Sequence, residues 1–420
     1  MNNYKLVKNT EWKEVEINGE NKEIPKDWRV TSIEKSIEME KNTKSSQILN
    51  SLILNKGTIP VIGQEVEFIS GYANNITPLV ANKENPTIIF GDHSCTLKFI
   101  NFNYVLGGDG TKVFKGNKEI KTNFLFYSIK NLNFKTDGYK RHFSILKEKL
   151  INIPPIQTQS SIASILSEQE SITQDIESLI SKYESRFQYL SDKLLSGRLR
   201  VKEVDGEFVL YKNPEDNWKE VEINGEIKEI PKDWEVEKIY KNIKFSIGNT
   251  PKKINDNYKG SLAWVTISNL NEKYVSKHTA KIKKLNNVKI IPKGSLFGSF
   301  KMSVGKFGFA TQDCATNEAI ISIKPTDTIY NLNYLYYRLP SVFLENAETN
   351  GQGTLLLNTT KIKDLDYIVP SIKEQNSIAI ILNEQEELIS EQKYFFEKEK
   401  QKFNWLLDNL LSGKYLVEQI

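Results

Sequence analysis

The sequence predicts an α/β (α+β) protein in tandem pseudo-repeat: two globular domains separated by two long antiparallel coiled-coil helices. Three observations predict it. Residues 11–28, EWKEVEINGENKEIPKDW, return at 217–234 as NWKEVEINGEIKEIPKDW. Residues 153–171, IPPIQTQSSIASILSEQES, return at 369–387 as VPSIKEQNSIAIILNEQEE, and LLSGRLRV (194–201) returns as LLSGKYLV (410–417). Between these repeats, 29–152 and 235–368 share little beyond a strand-rich texture. The period is the size of a whole domain, which excludes a short-period solenoid. Two copies that keep their ends and differ inside suggest one scaffold presenting two different surfaces; drift of both interiors is the alternative.

The reading divides the chain into a first domain (1–152), a first long helix (153–200), a linker (201–217), a second domain (218–368) and a second long helix (369–420). Gln157–Ser196 follows Pro154-Pro155 and stops at Gly197, the proline-before and glycine-after asymmetry of a helix. Its apolar residues, Leu166, Ile180, Phe187 and Leu194 among them, fall at three- and four-residue spacing on one face. The second copy is cleaner: Leu382, Ile389, Phe396, Phe403 and Leu410 recur every seventh residue before Gly413. At about 1.5 Å per residue each helix would span roughly 60 Å. A stripe that long needs a partner helix, and the other copy is the obvious one. Antiparallel pairing within one chain would put the domains at opposite ends. The alternative is that each helix is a core element of its own domain.

Inside the domains, TIPVIGQ (58–64), PTIIFGD (86–92), NYVLGG (103–108) and NFLFYSI (123–129) read as strands bounded by Gly, Asn and Pro. SLAWVTI (261–267), VKIIPKGSLFGSF (288–300) and NEAIISIKP (317–325) read likewise. Asn331–Leu344 reads as a short helix, and Trp28 and Trp234 as packing residues. Charge is segregated. Lys244–Lys306 holds thirteen lysines against Asp256 and Glu272, whereas both long helices are net acidic. A polyanion partner for the basic blocks fits this pattern, with plain solvated surface as the alternative. Two cysteines and three histidines argue against a metal site. With no signal-peptide core and no membrane-length apolar run, the chain reads as soluble and cytoplasmic, with no membrane partner.

Three groups of residues resemble the specificity subunits of type I restriction-modification enzymes. One is IPKDW opening each half (Ile24–Trp28, Ile230–Trp234). Another is Pro-x-x-x-x-Gln entering each long helix (Pro154–Gln159, Pro370–Gln375). The last is the LLSG terminus (Leu194–Gly197, Leu410–Gly413). In the second domain, 248–270 resembles the family's Gly-x-Thr-Pro loop and Trp-containing strand, and 299–320 its Gly-containing turn and Asn-rich strand. In the first, 138–156 resembles a Gly-Tyr-x-Arg-His stretch, while GTIPVIGQ (57–64) stands where the Gly-x-Thr-Pro loop is missing.

The resemblance implies a non-catalytic subunit reading a split target in double-stranded DNA, one half per target-recognition domain. It implies helices that set the gap and dock two DNA adenine methyltransferase (modification) subunits, with restriction subunits joining that core. No cofactor is expected: the chain lacks the Asn/Asp-Pro-Pro-Tyr/Phe loop of adenine methyltransferases and a phosphate-cradling GxxxxGK motif. His93 beside Asp92 and near Cys95 is not a catalytic set, because neighbours on a strand face opposite ways. Base reading needs side chains at base edges, with lysines and arginines on the backbone. The residues expected to contact DNA are His93, Lys98, Lys140, Arg141 and His142 in the first domain, and Thr250, Lys252, Lys253, Lys301, Ser303 and Lys306 in the second. A recognition subunit of a fused type IIB-like enzyme and a coiled-coil protein scaffold are the competing readings.

Overall fold

The computed structural model describes residues 4–419 apart from 42, 137, 139–140, 252–257, 285–287, 326–329 and 352. Contacts divide the chain into two compact units, Met1–Ser178 with Lys393–Ile420, and Leu179–Gln392. Helices α1 (Thr122–Asn131), α2 (Ile156–Leu195), α3 (Leu332–Glu345) and α4 (Ile372–Leu411) carry the architecture. Helices α2 and α4 are 40 residues each, as their stripes predict, and each gives one half to each unit.

In the first unit Ile162, Ala163 and Leu166 of α2 share a core with Phe403, Leu406, Leu407 and Leu410 of α4. Gln169 Nε2 donates to Glu399 Oε2 at 2.5 Å. In the second unit Leu190, Leu194 and Leu195 of α2 join Ile378, Ala379, Ile381 and Leu382 of α4. Start meets end in both units, so the pairing is antiparallel. Of the stripe residues, Leu166, Ile180, Leu194, Leu382, Phe403 and Leu410 are buried; Phe187, Ile389 and Phe396 are half-buried. The same cores contain domain residues, Phe124 and Leu125 in one and Tyr334 and Leu335 in the other. Each helix therefore packs on its partner and on a domain at once.

The first unit holds an antiparallel sheet in the order Leu97–Ile100, Thr87–Gly91, Thr111–Gly116, Ile37–Met39. A second sheet runs Gln47–Ile48, Val105–Gly107, Ile59–Ile62, Gly71–Ala73, parallel except at its last pair. The second unit has a five-stranded sheet, Ile243–Ile247, Ile320–Pro325, Leu296–Ser299, Phe307–Ala310, Tyr274–Val275. Beside it lie Ala280–Ile282, Tyr258–Val265 and Cys314–Thr316. The two interiors differ in topology, not only in sequence.

The repeated motifs build the same joint in each unit. Arg29–Ser32 pairs with Leu150–Ile153, and Glu235–Lys238 with Asp366–Val369. Trp28 and Trp234 are packing residues, 1% and 0% exposed. The helix-ending glycines press onto them: a Cβ on Gly413 would lie 2.4 Å from Pro25, and one on Gly197 2.4 Å from Pro231. Both glycines have positive φ, as a helix C-terminus requires. The motif glutamines are buried. Gln159 accepts from Lys121 N at 2.9 Å, and Gln375 from Asn331 N at 3.1 Å. Each thereby satisfies a backbone donor just ahead of α1 or α3.

Two expectations are corrected. NFLFYSI is not a strand but most of α1, with Phe124 to Ile129 all buried. A short apolar run enclosed on all sides carries no period to separate strand from helix. The stretch read as a linker is a hairpin, Leu199–Val204 against Glu207–Lys212, turning at Asp205-Gly206, both at positive φ. The first unit makes the equivalent ladder from distant strands, Tyr4–Lys8 against Tyr415–Gln419.

The second unit's joint carries a buried ion pair, Arg200 with Glu374, that reaches out to the exposed Asp233. Arg200 Nε donates to Glu374 Oε1 at 2.6 Å, and its Nη1 and Nη2 to Asp233 at 3.0 and 2.7 Å. Trp234 Nε1 donates to Glu374 Oε2 at 2.9 Å. Burial opposes the charge on Arg200, but these hydrogen bonds outweigh it and raise its pKa. At the matching positions of the first half stand Leu416 and Thr158, so arginine and glutamate are absent together. Removing one buried partner strands the other, at about 3–5 kcal/mol. Arg200→Leu should lower the urea midpoint accordingly, while Arg200→Leu with Glu374→Thr recovers most of the loss; a double variant no better than the single would disprove the pairing. The hydrogen bond from Arg200 also holds the Asp233 carboxyl below the usual range. Its contribution is present above about pH 4 and fades as the pH falls further. Between about pH 4 and 3 the urea midpoint of Asp233→Asn should therefore fall less than that of the parent.

Candidate nucleic-acid interface

In the second unit, the turn joining Leu296–Ser299 to Phe307–Ala310 bears three of the expected residues. Ser299 fastens it: Ser299 N donates to Lys306 O at 2.8 Å and Gly305 N to Ser299 O at 3.0 Å. Phe300 anchors its base at 0% exposure, and Lys301 Nζ lies 5.1 Å from that ring. Gly305 has φ +88°, and a Cβ there would meet Leu344 at 2.9 Å, so the tight turn demands glycine. The result presents Met302 and Ser303 outward, with Lys301 and Lys306 half-buried beside them. Lys306 Nζ donates to Asn271 Oδ1 at 3.1 Å.

The Gly248–Thr250 loop is drawn to the same place. A Cβ on Gly248 would lie 2.2 Å from Thr316 Oγ1, so only glycine lets the loop press this close. Thr250 Oγ1 donates to Glu318 Oε2 at 2.6 Å. That bond, with backbone hydrogen bonding and the nearby Lys301 charge, holds the Glu318 carboxyl below its usual range. Thr250, Glu318 and Lys301 thus converge from segments far apart in sequence. Glu318 was not among the expected residues; an ionised carboxylate can accept from a cytosine amino group. Lys252 and Lys253 lie outside the described residues.

In the first unit, buried Asp92 is the fastening. Its amide donates to Gly110 O at 2.7 Å, its carbonyl accepts from His142 N at 2.8 Å, and its Oδ1 accepts from Phe143 N at 2.9 Å. This joins the 92–95 turn to Arg141–Phe143. Arg141 is exposed and His93 partly so, and Lys112, with Nζ 3.8 Å from Asp92 Oδ2, reaches the same region. Two expected residues are interior instead. His142 is 1% exposed with Nδ1 3.1 Å from Asp92 O. Lys98 is 5% exposed; its ammonium is spent on the carbonyls of Gly63 and Glu67, at 3.0 and 2.5 Å, and burial lowers its pKa. A charge on a strand carries no sign in the sequence of which face it takes. Lys140 lies outside the described residues.

Burial, and then Asp92, push the Cys95 thiol up, the reverse of activation. The Asp92 carboxylate accepts from the Phe143 amide and lies 3.8 Å from Lys112 Nζ. Among the described residues no three His, Cys, Asp or Glu side chains are grouped to hold a metal ion, and no helix is long and apolar enough to cross a membrane.

The chain is similar to known proteins over most of its length. A family model described as "Type I restriction modification DNA specificity domain" matches residues 25–182 and again 231–394. The type I restriction enzyme MjaVIII specificity subunit of Methanocaldococcus jannaschii is 23% identical over 429 aligned residues, covering 94% of this chain and 95% of the relative. The MjaIX specificity subunit of the same organism is 29% identical over 180 residues, 40% of this chain and 41% of that relative, less than half its length. The crystal structure of a type I restriction-modification S subunit from M. genitalium superposes with a TM-score of 0.61 at 15% identity, covering 91% of this chain and 96% of that one. Matched twice and over most of its length, this chain belongs to the family of type I restriction-modification DNA specificity subunits.

Proposed function

We propose that this protein is the non-catalytic, sequence-reading subunit of a type I restriction-modification complex acting on DNA in the cytoplasm. Each unit reads one half of a bipartite duplex target, and α2 and α4 set the gap between the halves. Two DNA adenine methyltransferase subunits dock on the repeated scaffold, and restriction subunits join them. The observation that carries this reading is duplication of the joint with divergence of the display. The IPKDW, Pro-x-x-x-x-Gln and LLSG contacts occur twice, while the sheets and exposed turns between them differ. Equivalent joints suit two copies of one partner, and unlike turns suit two unlike half-sites.

Mapping modified adenines in a genome exposed to this chain and its methyltransferase should yield one motif of two short halves separated by a fixed gap, lost when the chain is deleted. A continuous motif would sink the proposal, as would no dependence on this chain. Among single residues, Lys301→Ala and Lys306→Ala should weaken DNA binding evenly across sequences. Each should flatten the plot of log affinity against log salt by about 0.9 per lost phosphate contact. Lys98→Met should instead lower the unfolding midpoint and leave that slope intact. A salt titration with all slopes equal removes the two lysines from the interface.

A further inference from the structure

We infer that each recognition domain is locked onto its long helix by the same polar clamp, a tyrosine hydroxyl and a lysine ammonium converging on one glutamate, and that the two clamps fix the angle at which the domains are held and so the gap the protein accepts. The inference rests on the bipartite reading above. In the first unit Tyr127 of α1 donates its hydroxyl proton to Glu170 Oε2 of α2 at 2.8 Å, and Lys130 pairs with Glu170 Oε1. In the second unit the hydroxyl of Tyr337, on α3, lies 2.7 Å from Glu386 Oε2 of α4. Lys273 Nζ is 3.0 Å from the same carboxylate oxygen and 2.9 Å from the Tyr337 hydroxyl.

The two clamps are equivalent in place but not in parts. Glu170 and Glu386 hold matching positions in the repeated SEQES and NEQEE segments. Tyr127 and Tyr337 match in NFLFYSI and NYLYYRL, a likeness that emerges once both segments are helices. The lysines do not correspond. Lys130 lies on α1 itself, one turn beyond its tyrosine, whereas Lys273 comes from the residues leading into Tyr274–Val275. A cation has been supplied to the same glutamate from unrelated segments, which hydrophobic packing alone gives no reason to expect. Both ammonium groups are also held over aromatic rings: Lys130 is 5.2 Å from the Phe403 centroid, and Lys273 is 5.0 and 4.9 Å from those of Tyr336 and Tyr337.

Such a node restrains an angle as well as a contact. Apolar surfaces can slide, whereas charge-assisted hydrogen bonds are short and directional. A domain of about 130 residues has a radius of gyration of about 14 Å. Such a compact body is roughly 36 Å across, so a tilt of roughly 5° at its base would move its far side by about one base-pair step, about 3.4 Å along the axis. Loosening the clamps therefore admits neighbouring gap lengths before it weakens reading of either half-site.

The test compares adenine methylation maps from cells carrying the complete complex with wild-type chain, with Glu170→Gln/Glu386→Gln, or with Tyr127→Phe/Tyr337→Phe, which keeps both rings in place. Both variants should methylate sites whose gap is one base pair longer or shorter on the order of tenfold more than wild type, with unchanged half-site sequences. A variant that shifts the melting temperature of the purified chain but keeps a single gap length shows a merely structural role and overturns the inference, as does no change in either. A wild-type map without a fixed-gap motif overturns the bipartite reading, and the clamps' assigned role with it.

Discussion

The constraint on which the rest depends is that neither long helix can bury its stripe without the other. A 40-residue helix apolar along one face leaves that face in water unless something runs beside it along its whole length. Here the start of each helix is covered by the end of its partner. Leu166 meets a core shared with Leu410 in one unit, and Leu194 one shared with Leu382 in the other. Antiparallel pairing brings a helix end, a helix start and an IPKDW segment together in each unit. The repeated motifs are therefore three sides of one joint: a glycine that ends the helix against a proline and tryptophan, and a buried glutamine that satisfies the backbone ahead of α1 or α3.

Within that shared frame the two units solve display by different means. In the second, glycines at 248 and 305 let loop and turn approach so closely that any side chain would collide with Thr316 or Leu344. In the first, one buried residue, Asp92, does the joining through its carboxylate and its own backbone amide and carbonyl. The joints also diverge where it is chemically safe to do so. Arg200 and Glu374 in one half stand opposite Leu416 and Thr158 in the other, a paired exchange that never leaves a lone buried charge. Exposed turns tolerate substitution because little backbone structure depends on them.

Legible in the order of residues alone were the duplication, the extent of both long helices, the burial of Trp28 and Trp234, and the family resemblance. These are periodic or repeated signals, readable because a buried helix face recurs every three to four residues whatever surrounds it. That order does not reveal the helical state of NFLFYSI, whose apolar run has no polar face to mark a period, nor the hairpin at 199–212. Folding in three dimensions turns Lys98 and His142 inward, brings Thr250, Glu318 and Lys301 together, and sets Tyr127 and Tyr337 on equivalent glutamates. The orientation of a side chain on an irregular strand or turn is set by which distant segment packs against it, and that information is not local to the chain.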